Sequence, residues 1–269
     1  MQNHMSGTVI TITSGKGGVG KTTTTASLGV ALARMGKRTV CIDADLGLRN
    51  LDAALGVEER ITNDLVDVVE GRARVKHVLI QDFRLPNLMV LPASKERDKN
   101  AINATQMVKL CDELRTEFDF ILIDCPAGID AGFRNAVTPA DQIIVVVTPE
   151  VFSVRDGDRV ITLLEGLKKP APRLVINRLR PNLVKRGNML DVTGVLDILA
   201  IELLGVVPED ENAIVAGNMG MPVTWGTRSP AAAAFSRIAR RVLGENVPIH
   251  DFSPPPGVVE RISRFLGFE

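Results

Sequence analysis

Short β-branched, apolar runs recur along the chain, at Thr8–Thr13, Arg38–Asp43, Leu88–Leu91, Phe120–Asp124, Gln142–Thr148, Arg173–Asn177 and Leu203–Val207. Most are apolar throughout rather than alternating, which is how strands covered on both faces read. Between them, helical periodicity marks Lys21–Met35, Ile102–Glu117, Val154–Leu167, Met189–Leu199 and Pro230–Leu243. Strand, helix, strand in repetition predicts an α/β fold, a mostly parallel wound sheet with right-handed crossovers and helices on both faces. The pattern breaks once, at Phe252-Ser253-Pro254-Pro255-Pro256-Gly257, because consecutive prolines neither continue a helix nor join a central strand. The expected organisation is one domain over 1–251, a proline-rich linker over 252–257 and a short element over 258–269.

That last element reads as a C-terminal amphipathic helix. At about 100° per residue, Val258, Val259, Ile262, Phe265 and Leu266 fall within an arc of roughly 120°. Glu260, Ser263 and Gly267 lie opposite, with Arg261 and Arg264 at the edges. Basic residues flanking a Phe- and Leu-bearing face suit a helix lying in a membrane interface. Half-burying those apolar side chains gains roughly 4–8 kcal/mol gross. Ordering about ten residues, at about 1–2 kcal/mol each, offsets most of it. A single copy is therefore marginal, and two copies on one dimer gain avidity without new contacts.

Composition narrows the classes. The 269 residues carry 32 Lys+Arg against 32 Asp+Glu, so a protein coating nucleic acid by bulk charge is disfavoured. With 45% hydrophobic and 24% charged residues the chain builds an ordinary core, which excludes disordered, collagenous and disulfide-scaffold classes. Cys41, Cys111 and Cys125 include no CxxC pair, so they read as buried thiols in a reducing compartment. No apolar run approaches the roughly 20 residues that span a bilayer. The first residues lack a basic-then-apolar signal, and the expected location is the cytoplasm.

Gly15-Lys16-Gly17-Gly18-Val19-Gly20-Lys21-Thr22 matches the phosphate-loop pattern G-x-x-x-x-G-K-[ST], after a strand and opening a helix, and Thr23 continues the turn. Backbone N–H groups in such a loop close around phosphate oxygens, and the helix N-terminus adds positive potential. Lys21 then reaches the β- and γ-phosphates and Thr22 ligates Mg²⁺. Cys41-Ile42-Asp43-Ala44-Asp45 ends the second strand, and period-two geometry puts both carboxylates on one side, at the end where open α/β sheets bind ligands. Phe120-Ile121-Leu122-Ile123-Asp124 has the Walker B pattern, with Asp124 meeting Mg²⁺ through water. No N-K-x-D motif reads guanine, so ATP is favoured over GTP.

A lysine inside the loop at Lys16, followed by two glycines, resembles the MinD/ParA family of deviant Walker A ATPases. Further runs resemble the MinD branch over nearly the whole chain: Gly47-Leu48-Arg49-Asn50-Leu51-Asp52, Leu91-Pro92-Ala93-Ser94, Arg97-Asp98-Lys99, Pro126-Ala127-Gly128 and Ser153-Val154-Arg155-Asp156. The resemblance implies a P-loop NTPase-type fold and an ATP-bound homodimer in which Lys16 crosses to the partner's phosphates. It implies that Asp45 holds the attacking water and Asp43 supports the Mg²⁺ shell. Asn177, Arg178 and Pro208 would frame the adenine, and Asp156 and Asp158 would lie where partners bind. Those partners would be a MinC-type division inhibitor and a MinE-type or other topological regulator. The tail would bind an anionic phospholipid membrane, placing the protein peripherally on the cytoplasmic face of the inner membrane and switching attachment with hydrolysis. Hydrolysis is expected to be slow and stimulated by dimer and membrane.

Two features depart from that pattern. Arg261 and Arg264 are balanced by Glu260 and Glu269, so apolar insertion must dominate, each basic residue near a lipid surface giving only about 1 kcal/mol. The segment before Thr8 is longer than the strand requires. A ParA-type DNA-partition ATPase shares the phosphate loop but has no use for a detachable apolar helix, and no sequence-specific nucleic acid is expected. A flagellar-number regulator of the same superfamily is the third reading, and an iron–sulfur carrier fits worst.

Overall fold

The computed structural model describes residues 7–97, 101–225, 229–250 and 252. The strands are β1 (Thr8–Thr13), β2 (Thr39–Asp43), β3 (Ile80–Gln81), β4 (Leu88–Leu91), β5 (Phe120–Asp124), β6 (Gln142–Val147), β7 (Arg173–Leu179) and β8 (Glu202–Pro208). They form one sheet in the order β3-β4-β2-β5-β1-β6-β7-β8, parallel except where the two-residue β3 pairs antiparallel with β4. The helices are α1 (Lys21–Arg34), α2 (Leu51–Leu55), α3 (Leu65–Val69), α4 (Val75–Val78), α5 (Ala104–Leu114), α6 (Ala131–Val137), α7 (Val151–Gly166), α8 (Pro181–Lys185), α9 (Val192–Leu199), α10 (Glu211–Asn218) and α11 (Pro230–Val242).

The continuous apolar strands are explained by two cores, one on each face. Along β6, Ile143, Val145 and Val147 pack into the core under α5, α6 and α7, whereas Ile144 and Val146 pack into the core under α1 and α11. Strand periodicity of two thus sends neighbouring residues to opposite cores, and neither face is left to water. Local chemistry starts the helices where the pattern placed them. Asn103 and Gln106 cap α5 reciprocally, while Ser229 caps α11 with Pro230 at its first position.

Short elements depart from expectation. The sequence pattern contained no β3, and α2, α3, α4, α6, α8 and α10, all of eight residues or fewer, are too brief to show periodicity. β7 does not stop at Asn177 but runs on through an irregularity to pair Leu179 with Pro208. All three cysteines are buried free thiols, and burial pushes each thiol pKa up. Among the described residues no helix is long and apolar enough to cross a membrane. The linker beyond Phe252 and the tail with Val258, Val259, Ile262, Phe265 and Leu266 lie outside the described residues, as do Asp98 and Lys99.

At the amino ends of the strands, charges pair. Arg115 donates to both carboxylate oxygens of Asp141, at 2.5 and 3.0 Å, and to the Gly7 carbonyl at 2.6 Å. Arg38 donates to Asp119 at 2.9 Å. The opposite edge is built differently.

Candidate functional site

β1 ends at Thr13, and the glycine loop carries the chain into α1, which opens at Lys21 behind Gly20 at φ +100°. That left-handed turn suits glycine, and a Cβ there would lie 2.3 Å from Asn177 Nδ2. The Ser14 hydroxyl donates to the Lys16 carbonyl at 2.7 Å and accepts from Lys21 Nζ at 3.1 Å. The two lysines therefore differ sharply. Lys21 is 7% exposed and forms no ion pair with a described carboxylate, while Lys16 is exposed. A buried ammonium satisfied by one hydroxyl is a site that welcomes an anion.

Asp43 and Asp124 are neighbours across the β2–β5 register, and both are buried. Burial raises the Asp124 carboxyl to about 6, opposed by a hydrogen bond with the Thr22 side chain, the charge of Lys21 and a bond from Thr25 Oγ1 at 3.3 Å. Burial, then the charge of Asp124, raises Asp43 to about 8, against backbone bonds from Leu51 and Asp45. β2 stops at Asp43, so strand alternation does not reach Asp45. The Asp45 N–H donates instead to Asp43 Oδ1 at 2.9 Å, and its carbonyl accepts from Leu48 and Arg49 at 3.3 Å. Asp43 thus holds the loop that carries Asp45.

No group of three or more His, Cys, Asp and Glu residues suited to a metal gathers among the described residues. The donors present are the Thr22 hydroxyl bonded to Asp124, with Asp43 beside them. Oxygen donors too few for a protein-only cage fit a hydrated Mg²⁺ that keeps waters and takes phosphate oxygens. Sequence reasoning missed Thr25, which meets Asp124 from the helix turn after the loop. Its only signal is the spacing of three residues from Thr22, which places both on one helix face.

Asn177 Nδ2 donates to the Val19 carbonyl at 2.8 Å and its Oδ1 accepts from the Arg178 N–H at 3.0 Å. Its amide braces the phosphate loop from β7 and keeps one N–H and one lone pair for other use. Arg178, at φ +58°, turns the strand beside it. A cleft of about 280 Å³ opens there, lined by Thr23, Asn177, Arg178, Pro208, Ala213 and Ile214 among others. A larger groove between α1 and α11, about 710 Å³, holds alanines and hydroxyls, and its Arg34 donates to the Thr224 carbonyl.

Asp158 is exposed on α7, and Asp156 bonds Arg159 at 3.3 Å. The Asp156 backbone carbonyl lies so near Gly15 that a Cβ there would approach to 2.1 Å, so α7 packs directly on the phosphate loop. Exposed apolar residues follow the carboxyl ends of three strands: Leu48 after β2, Ile129 after β5, and Val151 and Phe152 after β6. Phe152 is the most exposed of them, at 71%.

The family model described as an AAA domain matches residues 7–176. The chain is 52% identical over 245 residues to the septum site-determining protein MinD of Synechocystis sp., covering 91% of this chain and 92% of that one. Among solved structures it is similar to the MinC:MinD cell division protein complex of Aquifex aeolicus, with TM-score 0.86, 44% identity, and coverage of 92% of this chain and 100% of that one. MinD of Pyrococcus horikoshii complexed with Mg-ADP matches at TM-score 0.79 and 29% identity, covering 89% of this chain and 99% of that one.

Proposed function

The chain belongs to the MinD family of septum-site-determining ATPases, and from that premise we propose that it is an ATP-dependent switch that places the division septum by recruiting a MinC-type inhibitor. ATP and Mg²⁺ are the ligands, as the Mg-ADP complex of the Pyrococcus relative supports. The observation that carries the reading is the contrast within one loop between buried Lys21 and exposed Lys16. Lys21 binds the β- and γ-phosphates from within. Lys16 stands free to cross to the phosphates of a second copy, stabilising transition-state charge in trans.

Gly15, Gly17, Gly18, Val19, Gly20, Thr22 and Thr23 cradle the phosphates through backbone N–H groups, at the start of α1 where the helix potential is positive. Bound Mg²⁺ supplies charge neutralisation at the phosphate oxygens. Thr22, Asp43 and Asp124 hold its hydration shell, and Asp45 orients the attacking water. Asn177, Arg178 and Pro208 frame the base. The exposed rim of Leu48, Ile129, Val151 and Phe152 gives a dimer an apolar seal around the sandwiched nucleotides. Asp156 and Asp158, on the helix packed against Gly15, would let a MinC-type or MinE-type partner sense the nucleotide loop.

The organisation proposed is an ATPase domain over 1–251, the linker over 252–257 and a membrane helix over 258–269. Paired tails would hold the ATP dimer on the cytoplasmic face of the inner membrane, and hydrolysis, slow until dimer and membrane stimulate it, would release it. Sedimentation with anionic liposomes tests this. The full chain should pellet in ATP and stay in solution in ADP, and a chain ending at Pro254 or carrying Ile262→Glu should stay in solution in both. Vesicle binding unaffected by Ile262→Glu would remove the tail from the mechanism. The ParA reading is not favoured, given 52% and 48% identity to MinD proteins over more than nine-tenths of the chain.

A further inference from the structure

We propose that α2 is a strut through which occupancy of the base cleft positions Asp45, by way of a backbone contact between Gly56 and Gly220. The inference rests on the base cleft assigned above. Gly56 ends α2 at φ +67°, and a Cβ there would lie 2.6 Å from the Gly220 carbonyl oxygen. Gly220 has φ +62°, and a Cβ on it would meet the Ala53 carbonyl at 3.1 Å. Gly220 lies just past α10 and its C-cap Met219, and the helix's Ala213, Ile214, Gly217 and Asn218 line the cleft. Main chain rests on main chain, so no side chain is present to absorb a shift of α10.

The other end of α2 is tied to the hydrolytic loop. Leu51, its first residue, donates its N–H to Asp43 Oδ2 at 3.1 Å. Asp52 is 0% exposed and pairs with Arg49 Nε at 2.6 Å. Arg49 sits at φ +50°, a costly conformation outside glycine, and its N–H donates to the Asp45 carbonyl at 3.3 Å. A strained residue held by a buried ion pair is a loop whose position is imposed by its neighbours. Arg84 fixes the flank, donating to the Leu55 carbonyl at 2.9 Å while its guanidinium stacks 4.7 Å above Trp225. α2 therefore moves with α10, and Asp45 moves with α2. A triphosphate lacking the base would fill the phosphate loop yet leave this linkage unset.

The test compares ATP with ribose 5′-triphosphate on the full chain, measuring kcat by phosphate release and affinity by calorimetry. Wild type should bind ATP more tightly and also turn it over with a kcat about fivefold above that of the baseless ligand, a modest coupling by the usual scale. Gly220→Ala should lower kcat for ATP to the baseless level, with ATP affinity and the ribose triphosphate rate unchanged. Arg84→Gln adds no atoms and should cause a smaller loss of the same kind, which decides the matter if Gly220→Ala fails to fold. Wild-type kcat for ATP in both folded variants would overturn the coupling, as would equal kcat for the two ligands in wild type despite unequal affinity. Equal affinity for the two ligands would instead remove the base cleft, and the coupling with it.

Discussion

The two edges of the sheet handle charge in opposite ways. At the amino ends of the strands Arg115 grips Asp141 with two bonds and Arg38 meets Asp119, so acid and base are neutralised where they stand. At the carboxyl ends Asp43 and Asp124 are buried side by side, and Lys21 is buried against a serine hydroxyl rather than a carboxylate. Like charges brought together in a poorly solvated place are unfavourable for the empty fold. They become favourable once a polyanion and a divalent cation enter. The amino edge is a finished structure, and the carboxyl edge is one completed by its ligand.

The largest blow to that contrast is Lys16→Ala. The Lys16 side chain is exposed, and the carbonyl that accepts from Ser14 is kept on substitution, so thermal unfolding should be unchanged while kcat falls by about 10³-fold, the usual worth of a charge supplied in trans. Full activity in that variant would end the trans assignment.

Next comes the pH response of the nucleotide-free protein. A carboxyl whose pKa is raised on folding binds its proton more tightly in the folded state. Its stabilisation is complete below its unfolded value of 3.8 and is lost as pH rises through about 6 for Asp124 and about 8 for Asp43. Asp124→Asn cannot ionise, so its stability relative to wild type should climb by about 1–3 kcal/mol between pH 4 and 8.5, read by urea unfolding in EDTA. A gap that stays constant with pH would show that burial does not strain this edge. Mg²⁺ with ATP should restore the wild-type advantage.

The division between the edges also marks what the sequence could disclose. The loop from Gly15 to Thr22 and the strand-final Asp43 and Asp124 were legible because their spacing is local. Strand alternation does not place Asp45, since β2 ends before it and its backbone is held by Asp43 Oδ1. The bracing of the loop by Asn177 left no trace in the sequence, because its bond to Val19 joins residues 158 positions apart. Thr25 and the rim at Leu48, Ile129 and Phe152 gain meaning only when strand ends are brought together. α2, with five residues, leaves no periodic trace, yet it lies between the loop of Asp45 and the helix that lines the cleft at Asn177 and Pro208.

The amino edge supplies the counter-tests. Arg115→Ala removes bonds to Asp141 and to the Gly7 and Pro139 carbonyls, and should cost about 1 kcal/mol because Asp141 can turn to water. ATPase activity per folded molecule should stay at the wild-type level. A fall in kcat at temperatures where the variant remains folded would mean that the two edges are not separable.

The smallest effect expected is from Arg38→Ala. Its partner Asp119 is held below the usual carboxylate range, first by the hydrogen bond from Arg38, which looks like a strong contact. Yet the side chains are 51% and 36% exposed, and water replaces most of what such a pair loses. The Arg38 backbone N–H still donates to Asp119 at 2.8 Å whatever side chain it bears, so the turn keeps its anchor. The loss should stay below about 0.5 kcal/mol and shrink further in salt, since an exposed pair is screened and a buried one is not. Denaturant midpoints at low and high ionic strength measure it directly. A loss larger than that of Arg115→Ala would mean that the exposed pair, not the half-buried fork, closes this edge of the sheet.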